Sequence, residues 1–102
     1  MSDETGLLER RRNNWDLGER AAREAFEWII EDTDPAALPS TAEDIDDLAE
    51  RTLPIALDRL DQQMQRAWEG QRVAVANDMW ELIAGGFRME FRKLFVKRTF
   101  GL

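Results

Sequence analysis

Apolar residues recur at spacings of three, four and seven positions along most of this chain, which is the pattern of an amphipathic helix. The first such stripe consists of Trp15, Ala22, Phe26 and Ile29. Asn13 and Asn14 are candidate N-caps, because an Asn side chain accepts hydrogen bonds from free backbone N–H groups. The helix is predicted to end near Asp32, since Pro35 disfavours helical geometry in the residue before it.

The middle of the chain predicts two helices that separate at a proline. Ser40 and Glu43 form a candidate capping box, in which each side chain satisfies a free backbone N–H group of the first turn. The apolar positions that follow keep one helical phase, but Pro54 interrupts the run. Because proline lacks an N–H group and clashes with the preceding turn, we expect one helix over 41–51 and another over 53–69.

The last third of the chain predicts two further helices. Gly70 closes the preceding helix, and residues 72–84 are apolar nearly all round, which is typical of a helix at the centre of a core. Gly85 and Gly86 are expected to end that helix, and a final helix follows over 87–100. The apolar stripe of the final helix consists of Phe87, Phe91, Leu94 and Phe95.

These patterns predict an all-α fold, a small bundle of four to five helices in a single domain over residues 1–102. Residues 1–12 are expected to form an earlier helical turn or a frayed arm, and residues 87–100 a basic, aromatic C-terminal helix. No stretch reaches the ~18 apolar residues of a membrane span, and the start of the chain lacks the apolar run of a secretory signal. We therefore expect a cytoplasmic protein without a membrane partner.

The composition removes most routes to catalysis. The chain has no cysteine, histidine or tyrosine, so thiol chemistry, imidazole proton transfer and the usual transition-metal ligands are absent from the sequence. No glycine-rich phosphate loop is present, because Gly85 and Gly86 lack the lysine and the preceding strand of that motif. We expect no catalytic residue, no metal site and no cofactor, and hence a protein that is not an enzyme.

Two carboxylate motifs form an alternative that points to an enzyme. Glu24 and Glu27 lie on the first predicted helix, and Glu43 and Asp46 lie on the second. This ExxE…ExxD pattern resembles that of MazG-type nucleoside triphosphate pyrophosphohydrolases. The resemblance implies four carboxylates that hold Mg²⁺ and a Mg²⁺-dependent release of pyrophosphate. The helical period places both glutamates of the first motif away from the apolar stripe, which favours a solvated helix face.

Charge is the most uneven property of the sequence. The net charge is −7, yet residues 88–102 hold five basic residues and one acidic residue, whereas residues 31–61 hold ten acidic residues and two arginines. The acidic run is either a solvated face, or the partner of the basic last helix, or a surface for a basic protein. The candidate partner-binding residues are Glu31, Asp32, Asp34, Glu43, Asp44, Asp46, Asp47 and Glu50, with Trp28 as an apolar anchor.

The main functional hypothesis is a non-enzymatic protein-binding module, an inhibitor or adaptor. Carboxylates spread over two helices present a field similar to that of a phosphate backbone, which attracts nucleic-acid-binding proteins and argues against direct DNA binding. In general profile the chain resembles phage-encoded inhibitors, including anti-CRISPR proteins.

A second apolar face on two helices favours an interface, either with a partner or in a homodimer. The residues on these second faces are Leu17, Ala21 and Trp28 in the first helix and Met89, Val96 and Phe100 in the last. Self-association as a structural or assembly protein of phage or bacterial origin is therefore an alternative function. Packing of Trp28 within its own chain is an equally open alternative.

Overall fold

Three long helices make up the described part of this chain. The structure is a computed structural model, and it describes residues 3–67 and 77–101, with side chains over 12–64 and 78–101. The helices are α1 (Asp3–Asp32), α2 (Ala42–Ala67) and α3 (Asn77–Phe100), and a short 3-10 helix, Pro35–Ala37, lies between α1 and α2. The all-α class is confirmed. The predicted count of four to five helices is wrong, because two predicted helix breaks do not occur in the described residues.

The first predicted break, at Pro54, is wrong: α2 continues through this proline. Pro54 and Glu50 both lie on the exposed side of α2. Proline removes the hydrogen bond to the carbonyl group four residues earlier, which here belongs to Glu50. On an exposed side water can solvate that carbonyl group, so the helix tolerates the proline without separating into two.

We expect Pro54→Ala to raise the free energy of unfolding by about 1–2 kcal/mol, measured by chemical denaturation. Proline costs about 3 kcal/mol relative to alanine inside a helix, and the more flexible unfolded chain of the variant offsets about 1 kcal/mol of that gain. Arg51→Ala, at an exposed position of the same helix, is the control and should change stability little. A loss of stability in Pro54→Ala would mean that α2 does separate at this residue.

The second predicted break, at Gly85 and Gly86, is also wrong, because both glycines lie inside α3. They lie where α3 approaches α1 at backbone distance. A Cβ atom on Gly86 would lie 3.1 Å from the carbonyl carbon of Trp15, and one on Gly85 would lie 2.8 Å from Cζ3 of the Trp15 ring. Across the same contact, a Cβ atom on Gly18 would lie 2.8 Å from the backbone nitrogen of Phe87. These glycines therefore allow close packing of two helices.

Contacts between the helices define their directions. The rings of Phe26 and Phe95 lie 4.9 Å apart, and Trp15 lies beside Gly86, so α1 and α3 run in the same direction. α2 and α3 run in opposite directions. Glu50 pairs with Arg88, whereas the earlier residue Asp46 pairs with the later residue Arg92. Thus α2 is antiparallel to α3, and α3 contacts both other helices.

The core combines small residues on α1 with large ones on α3. Phe87, Phe91 and Phe95 are completely or almost completely buried, which confirms three of the four positions of the predicted stripe of the last helix; Leu94, the fourth, is half-buried. They pack against the alanines of α1 and α2 and against Ile45; the buried alanines are Ala21, Ala22, Ala25, Ala49 and Ala56. Ala21 was expected on the second apolar face of α1 and instead belongs to this core, because the close approach of α3 covers a wider sector of α1.

The helix ends were predicted with mixed success. α1 ends at Asp32, as predicted, but it begins at Asp3, so Asn13 and Asn14 are internal residues and not N-caps. Residues 3–12 of the candidate arm are the first turns of this helix. The predicted end at Gly70 and the predicted helix start at residue 72 lie outside the described residues.

The start of α2 is one residue later than the predicted capping box implies. The hydroxyl oxygen of Thr41 accepts a hydrogen bond from the backbone N–H group of Asp44 at 3.1 Å, so Thr41 is the N-cap residue. The box of Ser40 and Glu43 is therefore wrong. The sequence offers Ser40 and Thr41 side by side, and the path of the preceding loop decides which of them caps the helix.

The molecule is elongated and flat, with extents of 51 × 30 × 18 Å and a radius of gyration of 15.3 Å. A compact domain of this length has a radius of gyration of about 13 Å. The accessible surface is 7376 Å², and a compact monomer of this mass exposes roughly 6,000 Å². The chain thus leaves more surface open to contact than its size requires.

Candidate protein-binding surface

Six exposed carboxylates lie where α1 ends and α2 begins, and we call this surface the acidic junction. Its residues are Glu31, Asp32, Asp34, Glu43, Asp44 and Asp47. The short connection between the helices, which includes Pro35 and Pro39, keeps the two acidic helix ends at the same end of the molecule. All six belong to the candidate partner-binding set.

The connection is held by a few local hydrogen bonds. The Asp34 carboxylate accepts a hydrogen bond from the backbone N–H group of Ala36 at 3.0 Å, which caps the 3-10 helix. At the other side of the loop, the hydroxyl group of Thr99 donates to the carbonyl oxygen of Pro39 at 3.4 Å. The end of α3 is therefore linked to the loop, and Asp34 stabilises the loop by capping the 3-10 helix in addition to contributing its charge.

A shallow depression of about 180 Å³ lies next to this loop. Leu38 and Leu48 form its half-buried apolar part, and Asp44, Asp47 and Arg51 lie at its edge. The acidic junction thus has a small apolar area beside its charges. Protein–protein interfaces similarly combine an apolar centre with a polar rim.

Asp46 and Glu50 differ from the junction residues, because α3 supplies them with basic partners. Glu50 accepts hydrogen bonds from Nε of Arg88 at 2.7 Å and from Nη2 at 3.3 Å, and Oδ1 of Asp46 lies 3.7 Å from Nε of Arg92. The hydrogen bond to Arg88 lowers the pKa of Glu50 and raises that of Arg88. All four side chains are about half exposed, so each pair stabilises the fold by about 1 kcal/mol or less.

The structure thus divides the acidic run into two groups. The basic last helix pairs with Asp46 and Glu50, whereas none of the six junction carboxylates lies within 4.0 Å of a basic group among the described side chains. The sequence contained a signal for these pairs, because Asp46 and Glu50 are four residues apart, as are Arg88 and Arg92. That spacing places each pair on one side of its helix.

Trp28 is a half-buried residue with contacts inside its own chain. Its ring packs against the core, and the guanidinium carbon of Arg59 lies 3.8 Å from the ring centroid. Such a cation–π contact contributes about 0.5–1 kcal/mol at an exposed site. Arg59 on α2 therefore covers the indole, and a partner would have to displace it before Trp28 could serve as an anchor.

The four carboxylates of the ExxE…ExxD pattern are not gathered in the structure. Glu24 lies 3.5 Å from Arg20 on the exposed side of α1, Glu27 is exposed, and Asp46 pairs with Arg92. Within the part of the chain that the structure describes, no three Asp or Glu side chains lie close enough to hold a metal ion together. No described residues form a site for Mg²⁺ at this pattern.

Among the side chains that the structure describes, three large apolar ones are exposed, and two of them belong to the predicted second face of α3. Met89 is 65% exposed and Phe100 is 48% exposed, whereas Val96 of the same predicted face packs against the core. Ile55 on α2, which periodicity did not single out, is 55% exposed. Met89 borders a groove of about 320 Å³ between α2 and α3; the groove residues are Asp46, Ala49, Glu50, Arg88, Met89 and Arg92.

Two further observations bear on the site. Over residues 3–67 and 77–101, the structure has no helix with the length and apolarity that a bilayer crossing requires. Comparison with family models, with curated proteins and with solved structures finds no match to this chain.

Proposed function

We propose that this chain is a non-enzymatic protein-binding module whose acidic junction engages a basic surface on a protein partner. The observation that supports the proposal is the group of six exposed carboxylates at one end of the molecule, none of them within 4.0 Å of a described basic side chain. The module acts as an inhibitor or adaptor by occupying the partner's surface.

The electrostatics favour a basic protein over a nucleic acid. A compact group of like charges focuses its potential on one side of the molecule and raises the rate of encounter with an oppositely charged surface. It repels the phosphate backbone for the same reason. A nucleic-acid-binding protein fits best as the partner, because its basic surface is built to meet closely spaced negative charges.

The proposed site is narrower than the candidate set. Asp46, Glu50 and Trp28 are left out, because each already contacts an arginine of its own chain. The proposal includes a cytoplasmic location, and the profile of a phage-encoded inhibitor of the anti-CRISPR kind is its most specific form.

The test compares two triple charge reversals of equal size. Glu31→Lys, Asp32→Lys and Asp47→Lys alter the acidic junction at exposed positions that take part in no described cap or ion pair. The control changes three exposed residues elsewhere, and it consists of Glu24→Lys, Asp58→Lys and Glu81→Lys. Both variants have the same net charge, so a difference between them reports position and not total charge.

The experiment captures a partner from a lysate with the tagged protein and measures the kinetics with the purified partner. We expect the junction variant to associate at least about tenfold more slowly and the control to associate nearly as fast as the unmodified protein. Raising the salt concentration should reduce the difference, because salt screens exposed charges. Equal losses in both variants, or no loss in either, would contradict the proposal.

Self-assembly as a structural protein is the second candidate function. It rests on the exposure of Ile55, Met89 and Phe100 and on the extended, flat shape of the molecule. An assembly protein should grow in mass with concentration beyond a dimer, and sedimentation would show this growth. A mass that stays at one or two copies at all concentrations would contradict this function.

A further inference from the structure

We propose that the groove between α2 and α3 is the interface of a homodimer, in which Met89 of each copy packs into the groove of the other. The proposal concerns a different surface from the acidic junction and does not depend on the partner proposed for that junction. A second copy is the occupant that the charge pattern of this face favours.

The apolar part of the groove is centred on Met89. This side chain is 65% exposed, the most exposed large apolar residue of those the structure describes, and it borders a depression of about 320 Å³ with Ala49 at its base. A methionine is unbranched and adapts to irregular surfaces, so it suits a contact in which the same residue must fill a copy of its own groove.

The two walls of the groove have opposite charge. Asp46 and Glu50 on α2 form the acidic wall, and Arg92 and Arg88 on α3 form the basic wall at the same heights. A two-fold axis that lies in the interface and runs parallel to the helices places α3 of one copy over α2 of the other. Arg88 then lies opposite the second copy's residue 50, and Arg92 opposite its residue 46, so that every charge meets its opposite.

The other two-fold arrangement is unfavourable. An axis in the interface but perpendicular to the helices would place α3 over α3 and α2 over α2. Arginines would then lie opposite arginines and carboxylates opposite carboxylates, which costs free energy for charges removed from water. The charge pattern of the groove therefore selects a dimer in which α3 of each copy lies along α2 of the other.

The groove itself carries no net charge, although the chain is acidic. The chain has a net charge of −7, but the charged residues that line the groove are two acidic ones, Asp46 and Glu50, and two basic ones, Arg88 and Arg92. The axis parallel to the helices places the acidic junctions of both copies at the same end of the dimer, so the contacts over the neutral groove have to offset the repulsion between the junctions.

The face extends well beyond the groove itself, because helices of 26 and 24 residues border it. A standard interface buries about 800 Å² on each partner, so a dimer of ordinary size would engage residues along both helices.

The first test measures mass in solution by sedimentation equilibrium for the unmodified protein, Met89→Asp and Ile55→Asp. Ile55 is the matched control, since it is 55% exposed but lies on the side of α2 away from the groove. We expect twice the chain mass of 11.9 kDa for the unmodified protein and for the control. We expect Met89→Asp to dimerise at least about 30-fold more weakly, because it buries a carboxylate at the centre of the contact.

Circular dichroism of each variant checks that the helices are retained, as expected for substitutions at exposed positions. A monomeric unmodified protein would overturn the proposal. It would equally be overturned if Met89→Asp remained a dimer, or if Ile55→Asp dissociated as completely as Met89→Asp.

The second test mixes the unmodified protein with a charge-swapped variant, Glu50→Arg with Arg88→Glu. Each swapped chain still has an ion pair between residues 50 and 88. Opposite charges also still face each other in a dimer of two swapped chains. In a mixed dimer of the proposed arrangement, Arg88 of the unmodified chain would face the arginine introduced at position 50 of the swapped chain. Glu50 of the unmodified chain would likewise face the glutamate introduced at position 88. We expect mixed dimers at less than about a tenth of the statistical yield by native mass spectrometry. Mixed dimers at or above the statistical yield would overturn the proposed arrangement.

Discussion

Phe91→Ala is expected to lower the free energy of unfolding by about 3–5 kcal/mol. Phe91 is completely buried on α3, and its ring lies between those of Phe87 and Phe95 at centroid distances of 5.3 and 4.7 Å. Removing the ring loses its own burial and leaves a cavity that the helix backbones cannot close. Two aromatic contacts are lost in addition.

An effect of this size is a large part of the total stability. A domain of 102 residues is stable by about 5–15 kcal/mol, so the variant should unfold at a much lower denaturant concentration. Chemical denaturation followed by tryptophan fluorescence measures the change. If Phe91→Ala does not fold, Phe91→Leu keeps most of the volume and should lose about 1–1.5 kcal/mol.

Phe100→Ala is the matched control, because it is the same substitution on the same helix at a side chain that is 48% exposed. We expect it to lose about 1 kcal/mol or less, since half of the ring is already in water and no closed cavity forms. Similar losses at both positions would mean that the rings of α3 do not form the core that the structure shows.

Gly18→Ala is expected to lower the free energy of unfolding by about 2–3 kcal/mol, although alanine is the better helix former by about 1 kcal/mol. The new Cβ atom would lie 2.8 Å from the backbone nitrogen of Phe87 and closer still to the carbonyl oxygen of Ile83. Backbone atoms of a helix cannot move independently, so α1 and α3 must separate along their contact. The core between them then loses packing over several turns.

Gly85→Ala separates this effect from helix propensity. It is the same substitution inside a helix, but the new Cβ atom meets the far edge of the Trp15 ring, at 2.8 Å from Cζ3. A ring edge can turn aside where a backbone cannot. We expect a change of less than about 1 kcal/mol in either direction. Thermal unfolding of both variants measures the difference, and a stabilised Gly18→Ala would contradict the close contact of α1 with α3.

The helical class and the core stripe of α3 could be predicted from the sequence. Residues three and four apart meet on one side of a helix whatever surrounds it, so the spacing of Phe87, Phe91 and Phe95 indicated their common burial before any neighbour was known. The end of α1 at Asp32 could be predicted for a similar reason, since the effect of Pro35 on the preceding backbone is local.

The number of helices could not be predicted, because proline and glycine have different consequences in different surroundings. A proline breaks a helix where the carbonyl group that loses its hydrogen bond is buried, yet Pro54 lies on an exposed side of α2. Paired glycines often end a helix, yet Gly85 and Gly86 lie inside α3 and allow a second helix to approach. Only the position of the neighbouring helix distinguishes these outcomes.

For the candidate surface too, the sequence determined one part and the tertiary structure another. The sequence by itself determined that the chain between residues 31 and 61 is strongly acidic and that the last helix is basic, because charge depends on composition alone. The tertiary structure decided which carboxylates have partners, since the antiparallel packing of α2 and α3 brings Arg88 to Glu50 and Arg92 to Asp46. It also decided that Arg59 covers Trp28 and that Met89 remains exposed, because contacts between helices depend on their relative rotation and not on the period within each helix.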